Sequence, residues 1–466
     1  MNTEIIVLAA GKGTRMKSKK PKVLHPVAGV PMLGRVLESA FRLSPRAIHV
    51  VAGFGAAQVS DYLETLPSEI SALTDTVIQE KQLGTADAVS CAIDRVHDDS
   101  MVLVLYGDTP LVRPEDLRNF LAQSAACDMG ILTAIIPDPT GYGRIIRSAG
   151  GSFMSIVEEK DATDQQRKIN EINTGIICSR ALALKEALPE VKNSNAQGEY
   201  YLTDVPAIML AKGRKVSLTR AGDFNTLCGV NSNLQLAQAE AAYREITSRA
   251  LLDAGVTLAD PKRIDVRGSL QCGTDCFIDI NCLFEGRVVL GDNVIVGAGC
   301  VIKDCSIGDG TIISPYTIIE GSTIKRAATI GPFARLRSGN VLEDRVHIGD
   351  FVELKKAHMG EGTKAGHLSY IGDAEFGRDI NVGAGTITCN YDGANKHKTV
   401  VGDDVFIGSD TQLVAPVTVP SGVTIGAGTT YTRHIQANEG ALVITRAGKT
   451  IIDGYNRPKK ESPKGK

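Results

Sequence analysis

The sequence contains no tryptophan, and aromatic residues make up only 5% of its 466 residues. We therefore predict hydrophobic cores built largely from aliphatic side chains. The chain also has no large excess of either charge, because 51 Lys and Arg residues against 53 Asp and Glu residues give a formal net charge of −2. That balance argues against a protein whose main work is to coat nucleic acid or an anionic membrane, so we expect neither as a partner.

Membrane-spanning and secretory segments are also missing from the sequence. No apolar run approaches the roughly 18 residues of a transmembrane helix, and the start of the chain lacks a charged leader and a cleavage site. The ten cysteines include no Cys-x-x-Cys pair, which argues against a zinc site and favours buried, reduced thiols. Together these features predict a cytoplasmic protein.

The chain is about three times the usual length of a single domain, and it changes character near its middle. In the first part, apolar runs at Ile5–Leu8, Ile48–Val51 and Met101–Leu105 alternate with helix-like stretches such as Met32–Leu43. This alternation is typical of a parallel sheet covered by helices. We therefore predict an α/β nucleotide-binding (Rossmann-like) domain over residues 1–233.

A stretch rich in Ala, Gln, Glu and Leu follows at residues 234–254 and predicts a linker helix. Most of the 48 glycines lie beyond it, and there apolar residues recur at steps of six. The clearest series is Ile324, Ile330, Leu336, Leu342, Ile348 and Leu354. Since six is a multiple of two, each of these side chains can point to the same side of an extended chain, and glycines allow a tight corner once per repeat. Residues 255–466 are thus predicted to form a parallel β-helix.

Two segments depart from the six-residue repeat. Residues 388–398 are polar and rich in turn residues, so we expect them to leave the coil and project from the surface, with a neighbouring subunit as one destination. The end of the chain, from about residue 457, is rich in Pro and Lys and is predicted to be a disordered basic tail.

The first predicted strand leads into a loop of small and basic residues. It reads Leu8-Ala9-Ala10-Gly11-Lys12-Gly13-Thr14-Arg15-Met16, and further lysines follow up to Lys22. Small residues let backbone N–H groups approach an anion, and the basic side chains supply countercharge. The spacing fits neither the dinucleotide fingerprint nor the P-loop, so the pattern by itself leaves two alternatives open: a phosphate site or a basic surface turn.

These residues, followed by Pro21-Lys22, resemble the signature of nucleotidyltransferases that join a sugar phosphate to a nucleoside triphosphate. Further matches follow in that family's order. They include Gln82-Leu83-Gly84-Thr85, Tyr106-Gly107-Asp108, Gly141-Tyr142-Gly143-Arg144, Ile172-Asn173-Thr174-Gly175 and Gly229-Val230-Asn231. With the repeats behind them, residues 4–446 resemble the family of bifunctional bacterial N-acetylglucosamine-1-phosphate uridylyltransferases/glucosamine-1-phosphate acetyltransferases.

The resemblance implies a Rossmann-like nucleotidyltransferase domain followed by a left-handed parallel β-helix of hexapeptide repeats, assembled as a homotrimer. It implies two reactions: acetyl-CoA acetylates glucosamine-1-phosphate, and UTP with Mg²⁺ then converts N-acetylglucosamine-1-phosphate to UDP-N-acetylglucosamine and pyrophosphate. That product is a precursor of cell wall and lipopolysaccharide.

For the uridylyltransferase site, the resemblance implies that Asp108 and Asn231 bind the metal and that Lys22 and Arg15 stabilise charge on the leaving side. The uridine nucleotide is expected at Leu8, Ala9, Ala10, Gly11, Gln79, Gly84 and Thr85, and the remaining substrate contacts at Tyr106, Gly107, Gly143, Glu158 and Asn173. The last three of these are expected to hold the acetylated sugar. One departure is visible, because Asp87 stands where the family usually carries His.

For the acetyltransferase site, the resemblance implies that His367 is the catalytic base. The sugar phosphate is expected at Arg337, Lys355, Tyr370 and Asn381, with Lys396 supplied by the loop of a partner chain. Acetyl-CoA is expected at Ala384, Asn390, Tyr391, Ser409, Ala427 and Arg446. An imidazole suits this chemistry because its ordinary pKa of about 6.5 lets it take a proton near neutral pH.

Two alternatives remain at this stage. In one, the first domain is a sugar-nucleotide pyrophosphorylase and the β-helix is an inert oligomerisation or regulatory module, since such repeats often serve as scaffolds. His367, Tyr370 and the loop after Asn390 argue against it, because a scaffold needs none of them. The other is a purely binding protein, against which the metal-compatible pair of Asp108 and Asn231 counts.

Overall fold

The structure, a computed structural model, describes residues 2–445 and residue 453. The chain divides into two compact units, of which the first ends at Thr247 and the second begins at Ser248. This division falls inside the long helix Asn233–Asp253. The predicted domain boundaries at residues 233 and 255 stay predictions, and the predicted basic tail lies outside the described residues.

The first unit contains a sheet with helices on both faces. The strands of this unit are β1 (Thr3–Ala9), β2 (Pro26–Val27), β3 (Val30–Pro31), β4 (Ala47–Ala52), β5 (Thr74–Ile78), β6 (Met101–Tyr106), β7 (Met129–Ile135), β8 (Arg144–Arg147), β9 (Phe153–Val157), β10 (Glu171–Arg180) and β11 (Val216–Arg220). Of these, β2 and β3 pair with each other, as a separate two-stranded sheet. The helices of this unit are α1 (Met32–Phe41), α2 (Ala56–Glu64), α3 (Ser68–Ser71), α4 (Thr85–Ile93), α5 (Pro114–Ser124), α6 (Asp164–Arg167), α7 (Ala181–Ala187) and α8 (Val205–Ala211), and the long helix α9 (Asn233–Asp253) begins in this unit and ends in the second.

The strand order of this sheet is β11-β7-β10-β6-β1-β4-β5. β6, β1, β4 and β5 pair in parallel, as the alternation of apolar runs and helices predicts. The predicted Rossmann-like α/β class is therefore confirmed. β10 differs, because it runs antiparallel to β6 and β7. The apolar pattern could not show this, since a buried strand has the same composition in either direction.

Alternate residues of β1 enter different cores. Ile6 and Leu8 pack on one face of the sheet, and Ile5 and Val7 pack on the other. Such a strand reads as a continuous apolar run because both of its faces are buried. Polar residues are therefore left to the ends of the strands.

The carboxyl ends of four strands lie side by side. Leu8 of β1 pairs with Tyr106 of β6, Ala9 pairs with Ala52 of β4, and Ala52 pairs with Ile78 of β5. The residues that follow these strands therefore meet at one edge of the sheet, which is where open α/β sheets bind ligands.

The second unit is built from short parallel strands, in chain order β12 (Thr257–Leu258), β13 (Ile264–Cys272), β14 (Phe277–Ile278), β15 (Cys282–Leu290), β16 (Ile295–Val296), β17 (Val301–Lys303), β18 (Ser306–Ile307), β19 (Ile312–Ile313), β20 (Ile318–Glu320), β21 (Thr323–Ile324), β22 (Thr329–Ile330), β23 (Arg335–Leu336), β24 (Val341–Leu342), β25 (His347–Asp350), β26 (Glu353–Met359), β27 (Lys364–His367), β28 (Tyr370–Phe376), β29 (Asn381–Val382), β30 (Ile387–Cys389), β31 (Thr399–Val401), β32 (Phe406–Ile407), β33 (Gln412–Val414), β34 (Val417–Val419), β35 (Thr424–Ile425), β36 (Thr430–Thr432) and β37 (Leu442–Val443). They stack coil upon coil into the predicted parallel β-helix.

The six-residue step marks the interior of this β-helix. The series from Ile324 to Leu354 is buried at every member, with at most 1% of each side chain exposed. Ile330 pairs with Ile348, and Leu336 with Leu354, so every third repeat returns to the same sheet one coil later. The interior is therefore one continuous aliphatic column, which is the arrangement expected of a solenoid.

The break in the repeat is a loop between β30 and β31. Val382 pairs with Ala365 on one side and with Ile407 on the other, so the coil that contains this loop is longer than its neighbours. Residues 391–396 are all exposed, as the polar composition predicts. Across residues 2–445 and 453, no helix is long and apolar enough to cross a bilayer.

Candidate functional sites

At the carboxyl edge of the first sheet, one lysine joins two oxygen-bearing side chains. The Nζ of Lys22 donates to the Oδ2 of Asp108 and, at 2.8 Å, to the Oδ1 of Asn231. Lys22 and Asp108 are largely buried, with side-chain exposures of 13% and 11%. A backbone hydrogen bond of 2.8 Å from the N–H of Val230 to the carbonyl of Asp108 holds the two segments together. The sequence-predicted metal ligands therefore converge on a single cation.

The oxygens at this point fit the metal that the resemblance implies. A carboxylate and an amide carbonyl are hard ligands that suit Mg²⁺, and here they already surround an ammonium group. Within the described residues, no three His, Cys, Asp or Glu side chains gather as a protein-only metal site would require. A magnesium ion held by Asp108 and Asn231 would thus take its other ligands from substrate phosphates and water.

The loop after β1 has a buried beginning and an exposed end. Leu8, Ala9 and Ala10 are buried, whereas Gly11 and Arg15 are exposed. A Cβ placed on Gly11 would meet nothing within 4 Å, so the backbone there is open to an approaching group. Arg15 lies on a short turn at Thr14–Met16, where it can swing toward a bound anion. This arrangement favours the phosphate-site alternative.

Gln79 lies at the end of β5 and is buried. Its Nε2 donates to the carbonyl of Gly84 at 3.2 Å and to the Oδ2 of Asp87 at 2.7 Å. The three predicted nucleotide contacts in this region also converge, since Thr85 follows Gly84 at the start of α4. Asp87 has a visible role here, because it orients the amide of Gln79.

The backbone at Gly84 admits no side chain. Its φ is +127°, and a Cβ would lie 2.4 Å from the carbonyl oxygen of Tyr200. The amide of Leu202 donates to the Oγ1 of Thr85 at 2.9 Å. The loop that carries Gly84 and Thr85 is therefore fastened to the segment 200–202.

The three residues expected to hold the acetylated sugar also come together. The N–H of Asn173 donates to the carbonyl of Gly143 at 2.8 Å, and a Cβ on Gly143 would lie 3.4 Å from the Oε1 of Glu158. Burial raises the pKa of Glu158, a hydrogen bond from Thr203 opposes this rise, and the carboxylate of Asp204 adds to it. Thr203, which lies in a further segment that matches the family but was given no role from the sequence, donates to Glu158 at 2.9 Å.

Tyr106, the last residue of β6, is influenced by both Asp108, an expected metal ligand, and Glu158, an expected sugar contact. Burial raises the pKa of its hydroxyl, and the carboxylates of Glu158 and Asp108 raise it further. Its ring packs so closely on Gly175 that a Cβ there would lie 2.7 Å from it. Gly107, directly after Tyr106, donates its N–H to the carbonyl of Leu8 at 2.9 Å. Both expected groups of site residues therefore act on the hydroxyl of Tyr106.

In the second unit, His367 lies at the corner between β27 and β28. Its Nδ1 contacts the Oδ1 of Asp350, which occupies the corresponding position one coil earlier. The imidazole is 67% exposed. Asp350 was missed in the sequence, although aligning successive coils would have placed it next to His367.

Three of the residues expected to contact acetyl-CoA occupy the position equivalent to His367 in the coils that follow it. Ala384, Ser409 and Ala427 each follow the Gly that comes after a buried residue of one sheet: Val382, Ile407 and Ile425. These buried residues pair with one another coil by coil, so the three residues form a column in line with His367. The next residue of each coil forms a second column. In the coils before His367 this second column is aromatic, with Tyr316, Phe333 and Phe351 stacked at ring-centroid distances of 5.4 Å.

After His367 that second column becomes less bulky and is free of aromatic rings. Gly385, Asp410 and Gly428 take the corner positions, after Leu368 beside the imidazole. The corner is therefore open along the coils that follow His367, where an extended acyl carrier could lie.

A cluster of cations lies on the neighbouring face. Arg337 donates to Glu353 at 3.2 Å. Lys396 lies beside Lys355, and its hydrogen bond and positive charge lower the pKa of Lys355. Lys396 thus meets Lys355 within one chain, and its predicted reach to a partner subunit stays a prediction. Asn381, on β29, is exposed and pairs in register with Lys364.

Hydrogen bonds hold the loop between β30 and β31 in place. Asn390 donates to Asp373 at 2.6 Å and lies 3.5 Å from the hydroxyl of Tyr370. Tyr391 is exposed, and its hydroxyl donates to the carbonyl of Gly393 at 2.6 Å. The loop residues Asn390 and Lys396 are thus brought to the same face as Tyr370 and Lys355. Arg446, the last residue expected to contact acetyl-CoA, lies outside the described residues.

Two protein-family models match parts of the chain. Residues 5–149 match the model described as MobA-like NTP transferase domain, and residues 266–359 match the GMPPB C-terminal domain. The first match covers the loop after β1 and Asp108.

The first unit contains a nucleotidyltransferase domain.

A solved structure entitled "The Crystal Structure of UDP-glucose pyrophosphorylase complexed with UDP-glucose" is similar over 53% of this chain and 100% of that one, with 18% identity and a TM-score of 0.44. The assignment of the nucleotidyltransferase domain rests on the family model that matches residues 5–149.

The ion pair in the nucleotidyltransferase domain leads to a prediction about metal binding. Lys22 shares both of its oxygen partners with the expected Mg²⁺, so the ammonium has to leave before a metal can bind. We expect Lys22→Met to tighten the binding of Mn²⁺, a probe for Mg²⁺, by about tenfold without nucleotide, because a competing positive charge is removed. Titration followed by electron paramagnetic resonance measures this.

The matched control is Lys19→Met, which removes a charge from an exposed lysine of the same basic loop. Its Mn²⁺ affinity should change less than twofold. Equal or weaker Mn²⁺ binding by Lys22→Met would mean that Asp108 and Asn231 are not the metal ligands.

Proposed function

We propose that the protein makes UDP-N-acetylglucosamine in two steps, in the cytoplasm. The β-helix transfers the acetyl group of acetyl-CoA to the amine of glucosamine-1-phosphate, and the nucleotidyltransferase domain transfers UMP from UTP to the product. The convergence of Lys22, Asp108 and Asn231 at the sheet edge carries the proposed UMP transfer. The column that continues from His367 through Ala384 supports the proposed acetyl transfer.

In uridylyl transfer, a phosphate oxygen of N-acetylglucosamine-1-phosphate attacks the α-phosphorus of UTP. The bond from this phosphorus to the bridging oxygen breaks, and pyrophosphate leaves. Bound Mg²⁺ would supply charge neutralisation and orientation of the phosphates. Asp108 and Asn231 would hold it, and Lys22, released from them, would turn its ammonium to the phosphates.

The remaining residues of this site hold the two substrates in place. Backbone N–H groups of the loop Ala10–Gly11 face the nucleotide phosphates, and Gln79, oriented by Asp87, presents its amide to the base. Glu158, Asn173 and the backbone at Gly143 hold the sugar. Since phosphoryl-type transfer asks little covalent chemistry of the protein, positioning of this kind accounts for much of the acceleration.

In acetyl transfer, the sugar amine attacks the thioester carbonyl carbon. The nitrogen gives its proton to the Nε2 of His367, the bond from carbon to sulfur breaks, and coenzyme A leaves as a thiolate that is then protonated. Arg337, Lys355 and Lys396 would bind the sugar phosphate, because a phosphomonoester needs cationic partners. Lys396 lowers the pKa of Lys355, and an anion bound beside these two cations would relieve their repulsion.

The rival in which the β-helix is only a scaffold accounts less well for these contacts. A scaffold has no need of an exposed imidazole beside a carboxylate, or of lysines brought together against their mutual repulsion. We include the homotrimer in the proposal, with the loop after Asn390 as the segment that reaches a partner subunit.

Mass-spectrometric product analysis tests the proposed function. Purified protein is mixed with glucosamine-1-phosphate, acetyl-CoA, UTP and Mg²⁺, and the expected products are coenzyme A, pyrophosphate and UDP-N-acetylglucosamine. Omitting acetyl-CoA and supplying N-acetylglucosamine-1-phosphate should restore only pyrophosphate and the sugar nucleotide. The scaffold alternative predicts sugar-nucleotide formation in the second mixture and none of the acetylated product in the first.

A further inference from the structure

The corner at His367 places a carboxylate against one particular ring nitrogen. The Oδ1 of Asp350 contacts the Nδ1 of His367, while the Nε2 faces away from this contact. The two residues lie in register on adjacent strands, so the backbone of the β-helix sets their separation. Within the same corner, the Oγ of Ser369 donates to the carbonyl of His367 at 2.9 Å.

A neutral imidazole carries one proton, which can sit on either nitrogen. A carboxylate is an acceptor only, so the nitrogen that it contacts must be the one that carries the proton. The other nitrogen then presents its lone pair. An exposed ring without such a partner would exchange between tautomers and orientations, and only part of the population could accept a proton at Nε2.

Two other titratable groups lie on this pair of strands. Lys364 is on the same strand, and His347 is on the strand that carries Asp350. Burial lowers the pKa of His347, and the positive charges of Lys364 and His367 lower it further. Asp350 is therefore the carboxylate that faces the imidazole on this pair of strands.

Resting on the proposed acetyl transfer, we propose that Asp350 is the positioning residue of that site: its carboxylate fixes the Nδ1–H tautomer of His367 and leaves Nε2 free to accept the proton of the sugar amine. When His367 takes that proton, it becomes an imidazolium beside a carboxylate. Asp350 itself touches neither substrate and acts only through the imidazole, as the acidic member of a catalytic dyad does.

The test compares Asp350→Ala, Asp350→Asn and the wild-type protein by ¹⁵N NMR of histidine-labelled full-length samples, with His367→Ala used to assign the resonance. We expect the wild type to show His367 mainly as the Nδ1–H tautomer and Asp350→Ala mainly as the Nε2–H tautomer. The acetyl-transfer kcat of Asp350→Ala should fall about 100-fold with less than a twofold change in the KM for glucosamine-1-phosphate. Asp350→Asn keeps an oxygen acceptor and should recover part of both effects.

The control is Glu361→Gln, which removes another exposed carboxylate of the β-helix, one paired with Arg345. It should leave the tautomer and kcat unchanged. A wild-type ring in the Nε2–H form, or an unchanged tautomer in Asp350→Ala, overturns the proposal. If the wild type acetylates nothing, the proposed function fails instead, and the NMR comparison still decides whether Asp350 fixes the ring.

Discussion

Asp108→Asn is expected to reduce uridylyl transfer by at least about 10³-fold and to leave acetyl transfer within twofold of the wild type. The substitution keeps the size of the side chain but removes the charge that pairs with Lys22 and is expected to hold the metal. Without that charge, the phosphates of the nucleotide lose their orientation and their countercharge. Pyrophosphate release and coenzyme A release, measured separately on one preparation, give the two rates.

Asp99→Asn is the matched control for this variant. Asp99 lies just before β6, whereas Asp108 lies just after it, and the side chain of Asp99 is 63% exposed. The same chemical change at the opposite end of the strand should alter neither rate. Excess chelator added to the wild type should reproduce the loss seen with Asp108→Asn. Undiminished pyrophosphate release in chelator would rule out the metal.

His367→Ala is expected to have the complementary effect. We expect acetyl transfer to fall by about 10³-fold, because a positioned general base contributes roughly 10²- to 10⁴-fold, while uridylyl transfer stays within twofold. Release of coenzyme A from acetyl-CoA in the presence of glucosamine-1-phosphate measures the first rate. Preserved uridylyl transfer in the same sample shows that the first unit is intact, and an unchanged far-ultraviolet circular dichroism spectrum checks the fold of the β-helix.

The control for the histidine is His358→Ala. His358 is also exposed on the β-helix, but it lies on β26 instead of β27, and it pairs with Glu343. Its loss should leave both rates unchanged. An equal loss of both reactions in His367→Ala would contradict two separate sites. Acetyl transfer at the wild-type rate in this variant would mean that His367 is not the catalytic base.

The fold followed from patterns that are local along the chain. Apolar residues that recur every six positions predict the interior of the β-helix. Six is a multiple of two, and in an extended strand the face on which a side chain lies alternates with its position. Apolar runs such as Ile5–Leu8 predict the strands of the sheet for the same reason. The antiparallel direction of β10 was not predictable, since direction depends on which strands become neighbours after folding.

The sequence predicted which residues belong to the candidate sites, but it did not predict which of their side chains contact each other. Asp108 and Asn231 were expected as metal ligands, but nothing in the spacing shows that Lys22 holds both oxygens. Asp87 stood out as a departure from the family, and only the structure gives it a partner in Gln79. Asp350 went unnoticed because a lone Asp after a glycine is an ordinary turn residue.

The amino-acid order alone determined the two architectures, the switch between them and the residue types available for phosphate, metal and proton chemistry, because strand period, glycine placement and side-chain chemistry are properties of short stretches of chain. Only the tertiary structure decided which of those side chains face each other: Lys22 with Asp108 and Asn231, Lys355 with Lys396, and His367 with Asp350. Hydrogen bonds and charge pairs act over a few ångströms, and that proximity arises only when distant segments pack.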